Sequence, residues 1–159
     1  MDIDSRFTSL PSAPYFEDYR PGVTHDCGEV IIDEEQLVSF ARQFDPQSIH
    51  IDRAAAEEGP FGGLIASGWH TLALMMRLLV DNYVTAVASI ASPGVDEVRW
   101  YKPVRPGDRL KVVVHVLEAT ASRTKSDRGL VRSHVEAVNQ DGVVVASFKG
   151  MNLIRRRPA

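Results

Sequence analysis

Asp45 and His50 are the side chains whose types and spacing could move protons. They stand five residues apart in Phe44-Asp45-Pro46-Gln47-Ser48-Ile49-His50, with a proline directly after the carboxylate. On a regular helix, residues at that separation point in different directions. In a loop between two helices they can converge on one small molecule. Imidazole titrates near neutrality and a carboxylate can orient or activate water, so the pair is a minimal acid/base unit. Taken alone, it also fits a capping aspartate and a core histidine.

A second segment, Gly59-Pro60-Phe61-Gly62-Gly63-Leu64-Ile65-Ala66-Ser67-Gly68-Trp69-His70, leads into an apolar helix. The first N–H groups of a helix have no partner within it and favour negative charge. Gly68 at that end would let a carbonyl approach the backbone closely, as an oxyanion site requires. Phe61, Gly62, Gly63, Ser67 and His70 are candidate substrate-binding residues around it, His70 as a pocket-lining group. By itself the segment equally describes a tight turn into a core helix.

The elements that would hold these groups follow from periodicity. Val30 to Ile32 ends a short strand. Asp33 and Gln36 form a capping pattern ahead of Leu37, Phe40, Ala41 and Phe44, which predicts an amphipathic helix. Pro46 disfavours helical geometry at Asp45, so that helix stops there. Asp52 caps a second short helix through Ala56, closed by Gly59-Pro60. Trp69 to Tyr83 is apolar nearly all round, broken by Arg77 and Asp81, which can pair at a spacing of four; such a helix is buried on most sides. Beyond Pro93 the period becomes two, with strands over Val95 to Lys102, Val112 to Leu117, Val131 to Ala137 and Val143 to Phe148. Turns fall at Pro106-Gly107-Asp108 and Asn139 to Gly142. A strand, helices and then four strands in antiparallel succession make an α+β chain, an antiparallel sheet wrapped around a buried central helix.

Residues 1–14 read as a flexible lead-in, 15–154 as one domain and 155–159 as a basic tail. The tail's Arg155, Arg156 and Arg157 suit solvent or a phosphate-bearing ligand. With 159 residues and a formal net charge of −3, the chain can bury a core and carries no basic stripe for nucleic acid. Its single cysteine, Cys27, excludes an internal disulfide. The N-terminal residues lack a signal-peptide pattern and no apolar run approaches the roughly 20 residues of a membrane span. A soluble cytoplasmic protein is the expectation. His25-Asp26-Cys27 has no partner at metal-ligand spacing, and His115 and His134 fall in strands, so no metal site is expected.

The span Asp45 to Gly68 resembles the signature of MaoC-like dehydratases and (R)-specific enoyl-CoA hydratases: an Asp, a His five residues on, then Phe61-Gly62-Gly63-Leu64-Ile65-Ala66-Ser67-Gly68. Tyr15-Phe16-Glu17-Asp18-Tyr19 with Gly22 resembles the family's opening, and Arg99 to Asp108 its strand leading to a Pro-Gly-Asp turn. The resemblance covers roughly residues 15–153. It implies a single hot-dog domain acting as a hydro-lyase on an enoyl or 3-hydroxyacyl thioester of CoA or an acyl carrier, as in fatty acid metabolism, with no cofactor. It also implies a homodimer or a dimer of dimers. Asp45 and His50 then hold the water, and Gly68 N–H polarises the thioester carbonyl. An ungapped reading puts Met76 where the family can carry a serine that orients the aspartate, so Asp45 needs another donor. Ser67 stands where many relatives have His. The rival readings are a hot-dog thioesterase and a non-catalytic acyl-thioester-binding subunit.

Overall fold

The computed structural model describes residues 9–159. The first eight residues of the expected lead-in lie outside them. Of its remainder, Leu10 packs on the core and Pro14 is buried. A single 3-10 turn at Phe16–Asp18 follows. The elements are then β1 (Thr24–Ile31), α1 (Glu34–Phe44), α2 (Ser48–Ile51), α3 (Arg53–Glu58), α4 (Gly68–Asn82), β2 (Ser89–Trp100), β3 (Arg109–Ala121), β4 (Arg128–Val138) and β5 (Val144–Arg155).

The caps behave as their residue types require. Asp33 accepts the N–H of Gln36 at the start of α1, and Asp52 accepts that of Ala55 at the start of α3. Asp45 is the residue that ends α1. Between these helices lies an addition to the expected order: the segment after Pro46 winds into the one-turn α2, which carries His50. His50 therefore sits on a short helix and not in an open loop.

The five strands form one antiparallel sheet in the order β1-β3-β4-β5-β2. The four later strands are not a simple succession, because β2 pairs with β5 and lies at the edge opposite β1. The chain from Tyr101 to Asp108 makes the crossing. It is pinned on the way where Ala66 N–H meets Val104 O at 2.7 Å and where Gly107 N–H meets Ile32 O at 2.8 Å. The period-two pattern now has its physical sense: Val112, Val114, Val116, Val131, Val135 and Ala137 are buried in the core that includes Met75 and Leu79 of α4.

That helix is not buried all round. His70, Thr71, Met75 and Leu79 face inward, while Trp69, Met76 and Val80 are 60%, 44% and 49% exposed. One five-stranded sheet covers one side of a helix; the sequence shows that α4 is apolar on other sides too, and those faces are left uncovered in a single copy. Arg77 and Asp81 do pair, at 2.8 Å. No helix among the described residues is long and apolar enough to cross a membrane.

The basic C-terminal run is tied to the opening turn. Arg155 closes β5, Arg156 pairs with Glu17 at 3.1 Å and Arg157 with Asp18 at 2.8 Å. The same turn is anchored by Phe16, whose ring occupies the space a side chain on Gly129 would need, within 2.3 Å of an added Cβ. Gly129→Val should therefore displace Phe16 and cost about 1–3 kcal/mol of overpacking. A melting curve that matches the wild-type curve would contradict this packing.

Candidate active site

Asp45 and His50 are brought together by the break between α1 and α2. Asp45 Oδ2 lies 3.4 Å from His50 Nε2, with the two side chains 19% and 6% exposed. The imidazole is held from behind: Nδ1 stands 2.7 Å from Ile65 O. A carbonyl oxygen only accepts, so Nδ1 carries a proton and Nε2 is the ring atom turned to Asp45. In the tautomer with Nε2 unprotonated, that nitrogen and the carboxylate are both acceptors. A water between them can donate one hydrogen to each and leave its own lone pair toward the cavity.

The donor that orients Asp45 is Ser67. Its Oγ donates to Asp45 Oδ2 at 2.6 Å, and Gln47 Nε2 donates to Oδ1 at 2.7 Å. The Ser67 hydrogen bond, then that of Gln47, hold the Asp45 carboxyl below its ordinary range. The hydroxyl missing at Met76 is thus supplied from the residue before Gly68. Ser67 also occupies the position preceding α4, where a serine side chain usually caps the helix. Here it makes no cap bond, because it is turned to Asp45. The first bond of α4 runs from Thr71 N–H to Ser67 O, so the N–H groups of Gly68 and Trp69 have no partner within the helix.

Those two residues and Asp45, Gln47, His50 and Phe61 share one cavity of about 400 Å³, closed on another side by Trp100 to Val104. Lys102 is the cation on that wall. The segment from Leu64 to Ser67 is buried. Besides its tie to Val104, it is fixed by Ile65 N–H to Ile49 O at 3.1 Å. Carboxylate, imidazole and the helix end are therefore held by one rigid strap.

The other expected site residues are placed differently. Gly62 and Gly63 have φ of 64° and 154°, the region that favours glycine, but neither lines the cavity. They shape the turn that presents Phe61, whose carbonyl accepts from Arg105. His70 points away: it packs on Phe40 with ring centroids 5.0 Å apart and lines a hollow along α1. Burial pushes its imidazole below the ordinary value, and its Nδ1 has no hydrogen-bond partner among the described residues. Gly68 and His70 diverge because residues two apart on a helix are turned to different faces. Gly68 has a further constraint. A Cβ there would lie 2.4 Å from the Trp100 indole, which covers the start of α4 and meets Trp69 edge-on at 5.5 Å.

Two features were not anticipated from the sequence. Gln47 was visible as an amide two residues from Asp45, but its direction depends on α2. Trp100 reaches the site only because β2 takes the far edge. A second, apolar cavity of about 430 Å³ runs between α4 and β2, β4 and β5, and Trp69 borders both cavities. Among the described residues no group of three His, Cys, Asp or Glu side chains is placed to hold a metal.

Known proteins resemble the chain in sequence and in fold. The model of the MaoC like domain matches residues 18–148. The crystal structure of the MaoC-like dehydratase from Rhodospirillum rubrum superposes with a TM-score of 0.85 at 38% identity, covering 92% of this chain and all (100%) of that one. The unliganded R-hydratase PhaJ1 from Pseudomonas aeruginosa gives 0.75 at 25% identity, over 90% of this chain and 86% of its own. The 3-hydroxyacyl-thioester dehydratase Z of Mycobacterium tuberculosis strain H37Rv is 39% identical over 84 residues, 52% of this chain and 56% of that protein. The sheet around α4 is the hot-dog fold, and the chain belongs to the MaoC-like dehydratase family.

Proposed function

We propose that the chain is a hydro-lyase that adds water reversibly to an enoyl thioester, with Asp45 and His50 as its acid/base pair. The observation that carries this reading is the convergence of a carboxylate oxygen and an imidazole nitrogen, 3.4 Å apart, in the cavity that also receives the start of α4. Water held by Asp45 and His50 Nε2 attacks the β-carbon. Its oxygen forms the new C–O bond and one of its protons passes to the pair. The electron pair of the double bond moves toward the α-carbon and the thioester oxygen, where Gly68 N–H stabilises the charge. The pair then returns a proton to the α-carbon, so the net change is one added water. The reverse sequence is dehydration. The R-hydratase and thioester dehydratase among the similar proteins support the substrate class. Lys102 at the cavity wall suits the phosphates of CoA or a phosphopantetheine carrier. A panel of enoyl-CoA substrates of increasing chain length, followed by loss of the conjugated-thioester absorbance, tests the proposal; no turnover of any member overturns it.

Ser67 gives a pH prediction. Asp45 must be ionised to accept from water, and its carboxyl is lowered chiefly by Ser67. Activity is therefore present above the folded pKa and lost as pH falls through it. Ser67→Ala removes the main cause, raising that pKa, so the acid limb of kcat/KM moves to higher pH with about a tenfold fall at the optimum. An unmoved acid limb would show that Ser67 does not govern Asp45.

The exposed Trp69, Met76 and Val80 together with Val95 on the edge strand β2 support assembly of at least a homodimer. Sedimentation should give at least twice the chain mass of 17.6 kDa. A lone monomer at micromolar concentration would contradict it.

A further inference from the structure

The apolar cavity beyond Trp69 ends on two buried hydroxyls. Tyr83 follows the last turn of α4 and Ser133 lies on β4; their oxygens are 2.8 Å apart, and both residues line the cavity. They are 3% and 2% exposed. Two hydroxyls carry two protons but share one hydrogen bond, so one proton remains for a third oxygen or nitrogen. Tyr19 does not use it, since the Tyr19 hydroxyl is itself a donor, to Tyr83 O at 2.6 Å. No other hydrogen bond to either hydroxyl exists among the described residues. Burial pushes the Tyr83 phenol above its ordinary value, so it keeps its proton. Directly across the ladder from Ser133 stands Gly150, which also lines the cavity and has no side chain to cover the hydroxyl. The rest of the lining is mainly apolar, with Leu72, Met76, Leu79, Val95, Val135 and Phe148, and its other polar side chains are Ser92 and Asn152. A largely apolar channel with an unspent hydroxyl proton at its Tyr83 end favours a ligand that is mostly hydrocarbon along its length and oxygenated at its tip.

We propose that the acyl group this chain recognises is long and carries an oxygen acceptor at its far end, bound by the Tyr83–Ser133 hydroxyl pair. This rests on the enoyl-thioester reading, with the thioester at Gly68 and the acyl chain passing Trp69. At about 1.5 Å per residue, Trp69 and Tyr83 stand about 21 Å apart along α4, and an extended chain rises about 1.25 Å per carbon, so a chain on the order of sixteen carbons is required.

The test is titration calorimetry with two saturated, unreactive ligands, hexadecanoyl-CoA and ω-hydroxyhexadecanoyl-CoA. Wild type should bind the hydroxylated chain about tenfold more tightly, as one buried hydrogen bond supplies. The double variant Tyr83→Phe/Ser133→Ala should lose that preference, binding the plain chain at least as well. Removing both hydroxyls keeps the shape and leaves no donor unpaired, so the fold tolerates it. Each single variant should retain part of the preference, because one hydroxyl remains. Equal affinities in wild type, a preference kept by the double variant, or binding of neither ligand overturns the proposal. Because these ligands are not turned over, failure here is distinct from failure to hydrate every member of the enoyl-CoA series, which bears on the proposed reaction alone.

Discussion

Asp45→Asn and His50→Ala each lower kcat for enoyl-thioester hydration at least about a hundredfold, with the fold retained. The amide at position 45 keeps the size of the carboxylate and can still meet the hydroxyl of Ser67, which donates at 2.6 Å in the native site. It loses the charge and the second acceptor toward water. Removing the imidazole takes away Nε2 and leaves Ile65 O without its 2.7 Å donor, a local cost. Because the two side chains act on one water, their effects should not add: the double variant should be about as slow as the slower single one. Steady-state kinetics on folded variants checks this, and near-normal turnover in either one removes it from the mechanism.

Replacing Gly68 should have an effect of similar size, but the structure separates two reasons for it. A substrate carbonyl that uses Gly68 N–H needs space there, and so does the Trp100 ring, 2.4 Å from where a Cβ would stand. Gly68→Val should lower kcat/KM by about two orders of magnitude, comparable to losing one oxyanion donor. Trp100→Ala supplies the background in which the ring no longer clashes. If the helix end binds the carbonyl, Gly68→Val stays about as damaging on that background. If the variant with both changes matches Trp100→Ala alone, the glycine serves only the indole. His70→Gln should change kcat/KM by no more than a few-fold, since His70 lines a different hollow.

The local parts of this architecture were legible because they depend on neighbours in sequence. Asp33 and Asp52 cap helices as their types suggest. Pro46 ends α1 at Asp45, and the period-two runs became β3, β4 and β5. What was not legible depends on distant pairing. The place of β2 beside β5 follows from the crossing between Tyr101 and Asp108, and no residue pattern within β2 marks its partner. The apolar circumference of α4 suggested burial on most sides, yet the sheet reaches only one of them, leaving Trp69 and Met76 exposed in one copy. At the candidate site, spacing and the family resemblance singled out Asp45, His50 and Gly68, which line one cavity. The role of Ser67 could not, because a serine before a helix ordinarily caps it, and only the fold shows its hydroxyl turned to Asp45. His70 was grouped with Gly68 by proximity in sequence, but helical rotation sends it to Phe40.

The most direct test of the central claim is mass analysis of a trans-2-enoyl-CoA series, from crotonyl-CoA to long chains, after incubation with the wild-type protein in isotopically labelled water, with a thiol reagent present to report free CoA. The account predicts a product heavier by one labelled water, the thioester intact, and no thiol release; Asp45→Asn and His50→Ala should form it at least about a hundredfold more slowly. Release of free CoA with the double bond unchanged would contradict it, and would show that the carboxylate directs water to the carbonyl carbon as in a thioesterase.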